Sequence, residues 1–288
     1  MPKRLLQIIL FNCVWLAICF SNAFAQIVFS PMSFLNTNAL TDTGYDYDPD
    51  VATNSNGRWI TIWHSNEPSG GCGDDFDIFY SVSDDDGVSW TSPAPLNTNA
   101  TTDSNNDLYC RLATDQSGTW VAVWNSEDSL GNTIGTDNDI LFCRSTDDGN
   151  SWSAPTPINS SAVQDTGNDF RPSIATDGHG TWVVVWHSND TLNGVCGSDF
   201  DIFYSRSTDN GATWSSVTPL HLNASTDSGM DSEAVVATGG QGTWVVVWSS
   251  NDVLDNQIGN DRDILWVRST DNGVSWSAPM PLHANAYY

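Results

Sequence analysis

Ser207-Thr208-Asp209-Asn210-Gly211-Ala212-Thr213-Trp214 has the pattern Ser-x-Asp-x-Gly-x-x-Trp, and the chain contains that pattern four times. The other copies run from Ser83 to Trp90, Ser145 to Trp152 and Ser269 to Trp276, and the glycines Gly87, Gly149, Gly211 and Gly273 stand 62 residues apart. A fixed period of this size means one supersecondary unit used four times. The pattern is turn chemistry. Its Ser and Asp side chains accept hydrogen bonds from nearby backbone amides, Gly takes a positive φ, and Trp closes over the turn as an apolar lid.

Outward from that turn, the third repeat reads as short strands. Pro172 to Thr176 is β-prone, and Asp177-Gly178-His179-Gly180 is a turn. Trp182-Val183-Val184-Val185-Trp186 is a continuous apolar run suited to a strand buried on both faces. Asp201 to Ser207 leads into the box, and Trp214 to Leu220 leads out of it as a fourth strand. Trp59 to Trp63, Trp120 to Trp124 and Trp244 to Trp248 repeat the second strand, and no segment carries capped helical periodicity. Four antiparallel strands per period match one propeller blade. The reading is all-β, a β-propeller of four Asp-box blades, with repeated tryptophans as packing between blades.

The ends and the composition set the context. Lys3 and Arg4, the apolar stretch Leu5 to Phe20, and Ala23-Phe24-Ala25 read as a signal peptide over residues 1–25, cleaved after Ala25. Export to an extracellular or periplasmic space follows, with no membrane span in the mature chain. The net charge of -26 argues against nucleic acid and anionic membranes as partners and favours cations. Cys72, Cys110, Cys143 and Cys196 remain in the mature chain, and an exported protein permits disulfides in any of three pairings. Oligomeric state is not legible.

At these residues the chain resembles the sialidase (neuraminidase) superfamily, whose Asp-box or BNR repeat has the same Ser-x-Asp-x-Gly-x-x-Trp pattern. The resemblance implies that the box joins the third and fourth strands of each blade, on the side away from any active site. It implies a propeller without implying hydrolysis. A site then belongs on the opposite face, built from the loops between strands two and three and from the links between blades.

Positions where the repeats diverge carry the functional information. A shared aspartate (Asp46, Asp107, Asp169, Asp231) is followed two residues later by Asp48, Tyr109, Arg171 and Glu233. By resemblance, a sialidase uses an arginine triad for the substrate carboxylate, a Tyr nucleophile activated by Glu, and an Asp acid/base; a neutral nucleophile avoids repulsion at an anionic centre. Phe170-Arg171-Pro172 is similar to the family's arginine motif but lacks its residue between Arg and Pro, and Arg111 is the second candidate. Arg144, Arg206 and Arg268 hold one repeated position and read as structural.

The acidic loops form a second candidate. Asp75 and Asp77, Asp137 and Asp139, Asp199 and Asp201, and Asp261 and Asp263 recur as Asp-x-Asp before the third strand, after Glu67, Asp128, Asp190 or Asp252. Carboxylates at this density suit Ca²⁺, and the same residues also serve Asx turns. The five histidines show no metal-ligand spacing.

Blades are expected at about residues 37–97, 98–159, 160–221 and 222–284, preceded by an extra strand over 27–36. Sialidase propellers, by resemblance, have six blades. Four blades close with one strand spare, or the sequence is a piece of a longer array, which the interrupted link after His283 favours. Three functions stay open: a non-catalytic glycan-binding or adhesion module, which the residues favour; an exo-α-sialidase; and a calcium-stiffened structural array. No cofactor beyond Ca²⁺ is called for.

Overall fold

The computed structural model describes residues 33–283, apart from 160, 161, 164, 222, 223, 227 and 255–257. The expected signal peptide and residues 27–32 of the extra strand lie outside the described residues, and residues 33–36 carry no strand. All sixteen described strands belong to one compact unit, Phe34–Tyr288. They form four antiparallel sheets of four, each a meander in chain order. The first blade comprises β1 (Asp46–Thr53), β2 (Trp59–Ser65), β3 (Asp77–Ser83) and β4 (Ala94–Pro95). The second comprises β5 (Asp107–Thr114), β6 (Trp120–Ser126), β7 (Asp139–Ser145) and β8 (Thr156–Pro157). The third holds β9 (Asp169–Thr176), β10 (Trp182–Ser188), β11 (Asp201–Ser207) and β12 (Thr218–Pro219). The fourth holds β13 (Asp231–Gly240), β14 (Thr243–Ser250), β15 (Asp263–Ser269) and β16 (Met280–Pro281). These are four Asp-box propeller blades, and among the described residues the only helix is a single 3-10 turn, Ser69–Gly71.

The continuous apolar run in the second strand serves two interfaces. Trp120, Ala122 and Trp124 on one face of β6 pack with Ile60, Ile62 and Ile78 of the first blade. Val121 and Val123 on its other face pack with Trp182, Val184 and Trp186 of the third. The pattern moves on one blade, with Val183 and Val185 against Trp244, Val246 and Trp248. Each fully buried aliphatic side chain here contributes about 1.5–3 kcal/mol. Among the described residues no comparable packing joins β13 to β1, and Val51 on the first blade and Val235 and Met280 on the fourth stay exposed.

The boxes also work between blades, beyond the lid that each Trp forms on its own turn, as where the Trp152 ring lies 4.0 Å from the Cβ position of Gly149. Trp152 packs edge-on against Tyr80 of the preceding blade at 6.2 Å between ring centroids, Trp214 against Phe142 at 5.7 Å, and Trp276 against Tyr204 at 5.8 Å. Gly149 has φ +78°, and any Cβ there would run into Ile60 of the first blade. The Nε–H of Arg144 donates to the Asn210 carbonyl in the next box (2.7 Å), and that of Arg206 to Asn272 (2.6 Å).

The fourth strand departs from its expected length, and the cysteines pack as apolar groups. The fourth strand is two residues long in every blade, not seven, because only the Thr-Pro, Ala-Pro or Met-Pro pair keeps ladder register with the third strand. Isolated bonds such as Ser215 N–H to the Arg206 carbonyl (2.9 Å) and Leu220 N–H to the Ile202 carbonyl (2.7 Å) flank it. The four cysteines are buried and form no disulfide among the described residues. Cys72 and Cys196 occupy the repeat position filled by Ile134 and Ile258, so they act there as small apolar side chains.

Candidate functional site

The divergent residues sit on one structural device. In every first strand the antiparallel register slips, so that two residues face one tryptophan of the second strand. The first residue of each bulge is Asp48, Tyr109, Arg171 or Glu233, with φ of 47°, 57°, 51° and 59°. A left-handed backbone in such a bulge ordinarily selects glycine, and a side chain there costs about 1–2 kcal/mol. Such outliers concentrate where a side chain must be aimed at a ligand. The bulge amides are held from the preceding blade: His64 Nδ1 accepts from Tyr109 N–H (3.4 Å) and Asn125 Oδ1 from Arg171 N–H (3.3 Å). Burial lowers the His64 pKa, which keeps its ring neutral as that acceptor. His187, at the same repeat position, is lowered to about 4 by burial and the nearby Arg171.

The bulges bring three of the candidates together. The Arg171 guanidinium stacks over the Tyr109 ring at 4.3 Å and pairs with the Glu233 carboxylate at 3.4 Å. Arg171, Arg111 and Glu233 line one open cavity of about 490 Å³, with Asp50, Pro172 and Ser173. Arg111 also donates to its neighbour's carbonyl, Cys110 O, at 2.7 Å. Asp48 stands apart, 3.9 Å from His64 Nε2. A third arginine, Arg262, caps the start of β13, donating to the hydroxyls of Ser232 (3.0 Å) and Ser249 (3.2 Å).

Sequence reasoning missed what surrounds these residues. Tyr47, His64 and Phe76 form an aromatic cluster at the end of the first blade, with centroid separations of 5.3–6.0 Å. Tyr45 stacks on Tyr47 at 6.2 Å, and the two are 64% and 49% exposed. The third blade repeats the trio as Phe170, His187 and Phe200. The second has Asn125 bonded to Asn138 there, and the fourth has Ser232, Ser249 and Arg262. The signal was available, because these positions flank the divergent residue and the Asp-x-Asp pair in each period.

The acidic pairs meet the links between blades. Asp75 and Asp77 converge with Asp103, and Asp137 and Asp139 with Asp165, each set offering oxygens within 4.8 Å of one another. Asp201 converges instead with His221 and Asp231, which corrects the reading that no histidine stands at ligand spacing. Asp199, Asp261 and Asp263 join no such group among the described residues. Asp103 and Asp165 went unread, although Asn97 and Asp103 recur 62 residues later as Asn159 and Asp165.

The geometry agrees with the comparisons. The chain matches the BNR repeat-like domain over residues 48–287. Comparison with curated proteins gives no sequence match. Among solved structures, a Hadza microbial sialidase superposes with a TM-score of 0.56 at 21% identity, over 84% of this chain and 47% of that one. A Penicillium chrysogenum α-L-arabinanase complexed with arabinobiose gives 0.56 at 16% identity, over 84% of this chain and 68% of that one. A Dyadobacter fermentans protein of unknown function gives 0.59 at 16% identity, over 84% and 70%. This chain spans about half the length of the sialidase, and at these identities the likeness is one of fold. It belongs to the BNR repeat-like domain family, whose model matches residues 48–287.

Proposed function

We propose that the chain is an exported, non-catalytic glycan-binding module whose sugar site is the bulge face around Tyr109, Arg171 and Glu233. One observation carries the reading: Arg171 is stacked on Tyr109 and paired with Glu233. The carboxylate that would activate the phenol as a nucleophile is instead engaged by a guanidinium, while the guanidinium keeps donors for a ligand's hydroxyl or carboxylate oxygens. The exposed Tyr45–Tyr47 stack offers an aromatic face for a sugar ring beside them. Structures of this fold hold sugars, as in the arabinanase with arabinobiose and a leech trans-sialidase with 2,7-anhydro-Neu5Ac.

Sialidase-type hydrolysis is the second reading, favoured by Arg111 and Arg171 lining one cavity. A glycan array combined with release of a fluorogenic sialoside separates the two. The binding module gives array signal with no release; Arg171→Ala weakens it at least about tenfold, the scale of one charged hydrogen bond, and Tyr109→Phe leaves it in place. Sialoside release that disappears in Tyr109→Phe would establish hydrolysis, and absence of signal on any glycan would sink both.

A further inference from the structure

The acidic residues of the first two blade junctions are arranged unlike those of a solvated surface. At the first junction, Asn97 Nδ2 donates to Asp77 Oδ1 (2.8 Å) on the first blade and to Asp107 Oδ2 (2.8 Å) on the second. Asn99 Nδ2 donates to Asp128 Oδ2 (2.6 Å) and to Asp103 Oδ2. Each of these contacts satisfies one oxygen of its carboxylate. The buried oxygens Asp75 Oδ2, Asp103 Oδ1 and Asn99 Oδ1 receive no hydrogen bond, and Asp77 Oδ2 has only the weak Cys72 thiol beside it. At the second junction Asp137 Oδ2, Asp139 Oδ2 and Asn159 Oδ1 receive no hydrogen bond. Asp77 and Asp139 are 0% and 1% exposed, so bulk solvent does not reach them.

No protein cation compensates them either. Of the nine basic residues, Lys3 and Arg4 lie at the extreme N-terminus, leaving seven arginines (9 minus 2). Among the described residues no ion pair joins Asp75, Asp77, Asp103, Asp137 or Asp139 to any of them. Burying an uncompensated carboxylate costs several kcal/mol per ion, and both junctions bury several. Burial and neighbouring carboxylates accordingly raise Asp77 to about 6, Asp103 to about 7 and Asp139 to about 8.

The geometry points to a Ca²⁺ ion at each of these two junctions, held by Asp75, Asp77 and Asp103 at the first and by Asp137, Asp139 and Asp165 at the second. Oxygens 2.3–2.6 Å from one Ca²⁺ lie at most about 5 Å apart, and each trio falls within 4.8 Å. The donor set is all oxygen, which suits a hard cation over zinc or copper. The Cys72 thiol beside Asp77 is pushed up to about 11, and Ile134 stands in its place at the second junction, so sulfur is no common part of the site. Because each trio draws on an acidic loop and the following interblade link, the ion would tie consecutive blades together. At the third junction His221 replaces Asn97 and Asn159, bonding Asp231 at 2.9 Å and lying 3.7 Å from Asp201. That imidazole stands between Asp201 and Asp231 as the asparagines stand between their aspartates, and no ion is assigned to this junction.

The test is calcium titration of the chelator-stripped protein by calorimetry, with Tb³⁺ luminescence sensitised through tryptophan as a second readout. Two ions bind per chain, Mg²⁺ in tenfold excess fails to displace them, and Ca²⁺ raises the Tm. Asp77→Asn and Asp139→Asn each remove one ion, and together they abolish the uptake and the Tm shift. Both substitutions delete a charge while keeping volume, so in chelator the variants melt at or above wild type, showing that they fold. Asp103→Asn with Asp165→Asn provides a second pair on the link loops. Absence of saturable uptake, or uptake and Tm shift unchanged in either double variant, overturns the assignment.

Discussion

Asp85 and Asp77 belong to one blade and have opposite electrostatics. In the box, Asp85 accepts from the Ser89 hydroxyl (2.6 Å), the Ser89 amide (2.8 Å) and the Ser83 hydroxyl (2.8 Å), and these donors hold it down to about 2. At the opposite end, Asp77 accepts from Asn97 and the weak Cys72 thiol, and burial pushes it up to about 6. The contrast recurs 62 residues later between Asp147 at about 2 and Asp139 at about 8. Both ends are equally periodic and equally rich in aspartate. One end satisfies its anions with the chain's own donors, and the other leaves oxygens for something else. Repetition identifies architecture; the donor count decides what each carboxylate is for.

The sharpest break of that comparison is at the third junction, where His221 bonds Asp231 at 2.9 Å and lies 3.7 Å from Asp201. His221→Asn should give this junction the Asn97 and Asn159 arrangement. Removing one partner of a buried pair costs about 3–5 kcal/mol, so in chelator the variant unfolds at markedly lower urea than wild type. Added Ca²⁺ should recover much of the loss in the variant. A variant as stable as wild type in chelator would show that His221 does not compensate Asp201 and Asp231.

At the box end, the expected difference lies between an interior blade and the first. Gly149→Ala places a methyl group in the left-handed region and against Ile60 of the preceding blade. About 1 kcal/mol for the backbone and about 1–3 for overpacking predict a loss of about 2–4 kcal/mol. Gly87 has φ +80°, with only Trp90 near at 3.8 Å, so Gly87→Ala should lose about 1 kcal/mol. Equal losses in the two, measured by urea denaturation, would mean that packing between blades contributes nothing to the choice of glycine.

What was legible follows the same division. The boxes could be read because their turn chemistry is local, with Ser, Asp, Gly and Trp at fixed offsets doing the same job in each copy. The Trp-Val-Val-Val-Trp run could be read because burial on both faces removes alternation. The two-residue fourth strands were not legible, since Ser215-Ser216-Val217 is as β-prone as the Thr218-Pro219 pair that alone keeps ladder register. The bulges at Asp48, Tyr109, Arg171 and Glu233 were hidden because no glycine marks the left-handed residue. Their divergence drew attention to the right positions for a reason the sequence could not supply. His221 was passed over as a scattered histidine, and only the blade packing sets it between two buried aspartates.

The smallest expected effect tests the box carboxylates themselves. Asp85 and Asp147 titrate near 3.8 when unfolded and near 2 when folded, so the folded state prefers the anion. Their contribution is therefore complete above about pH 4 and disappears as pH falls through the folded value near 2. Asp85→Asn keeps the turn's shape but removes the charge and one acceptor oxygen, leaving the Ser89 donors with a poorer partner. The variant should be modestly less stable at pH 6 and should lose less than wild type between pH 4 and 2. Because this carboxylate is solvent-exposed, the shift in urea midpoint should be small beside those of His221→Asn and Gly149→Ala. Parallel stability curves for wild type and variant across that window would mean that the box holds its aspartate by shape alone, and the electrostatic contrast between the two ends of the blade would then rest on the buried end.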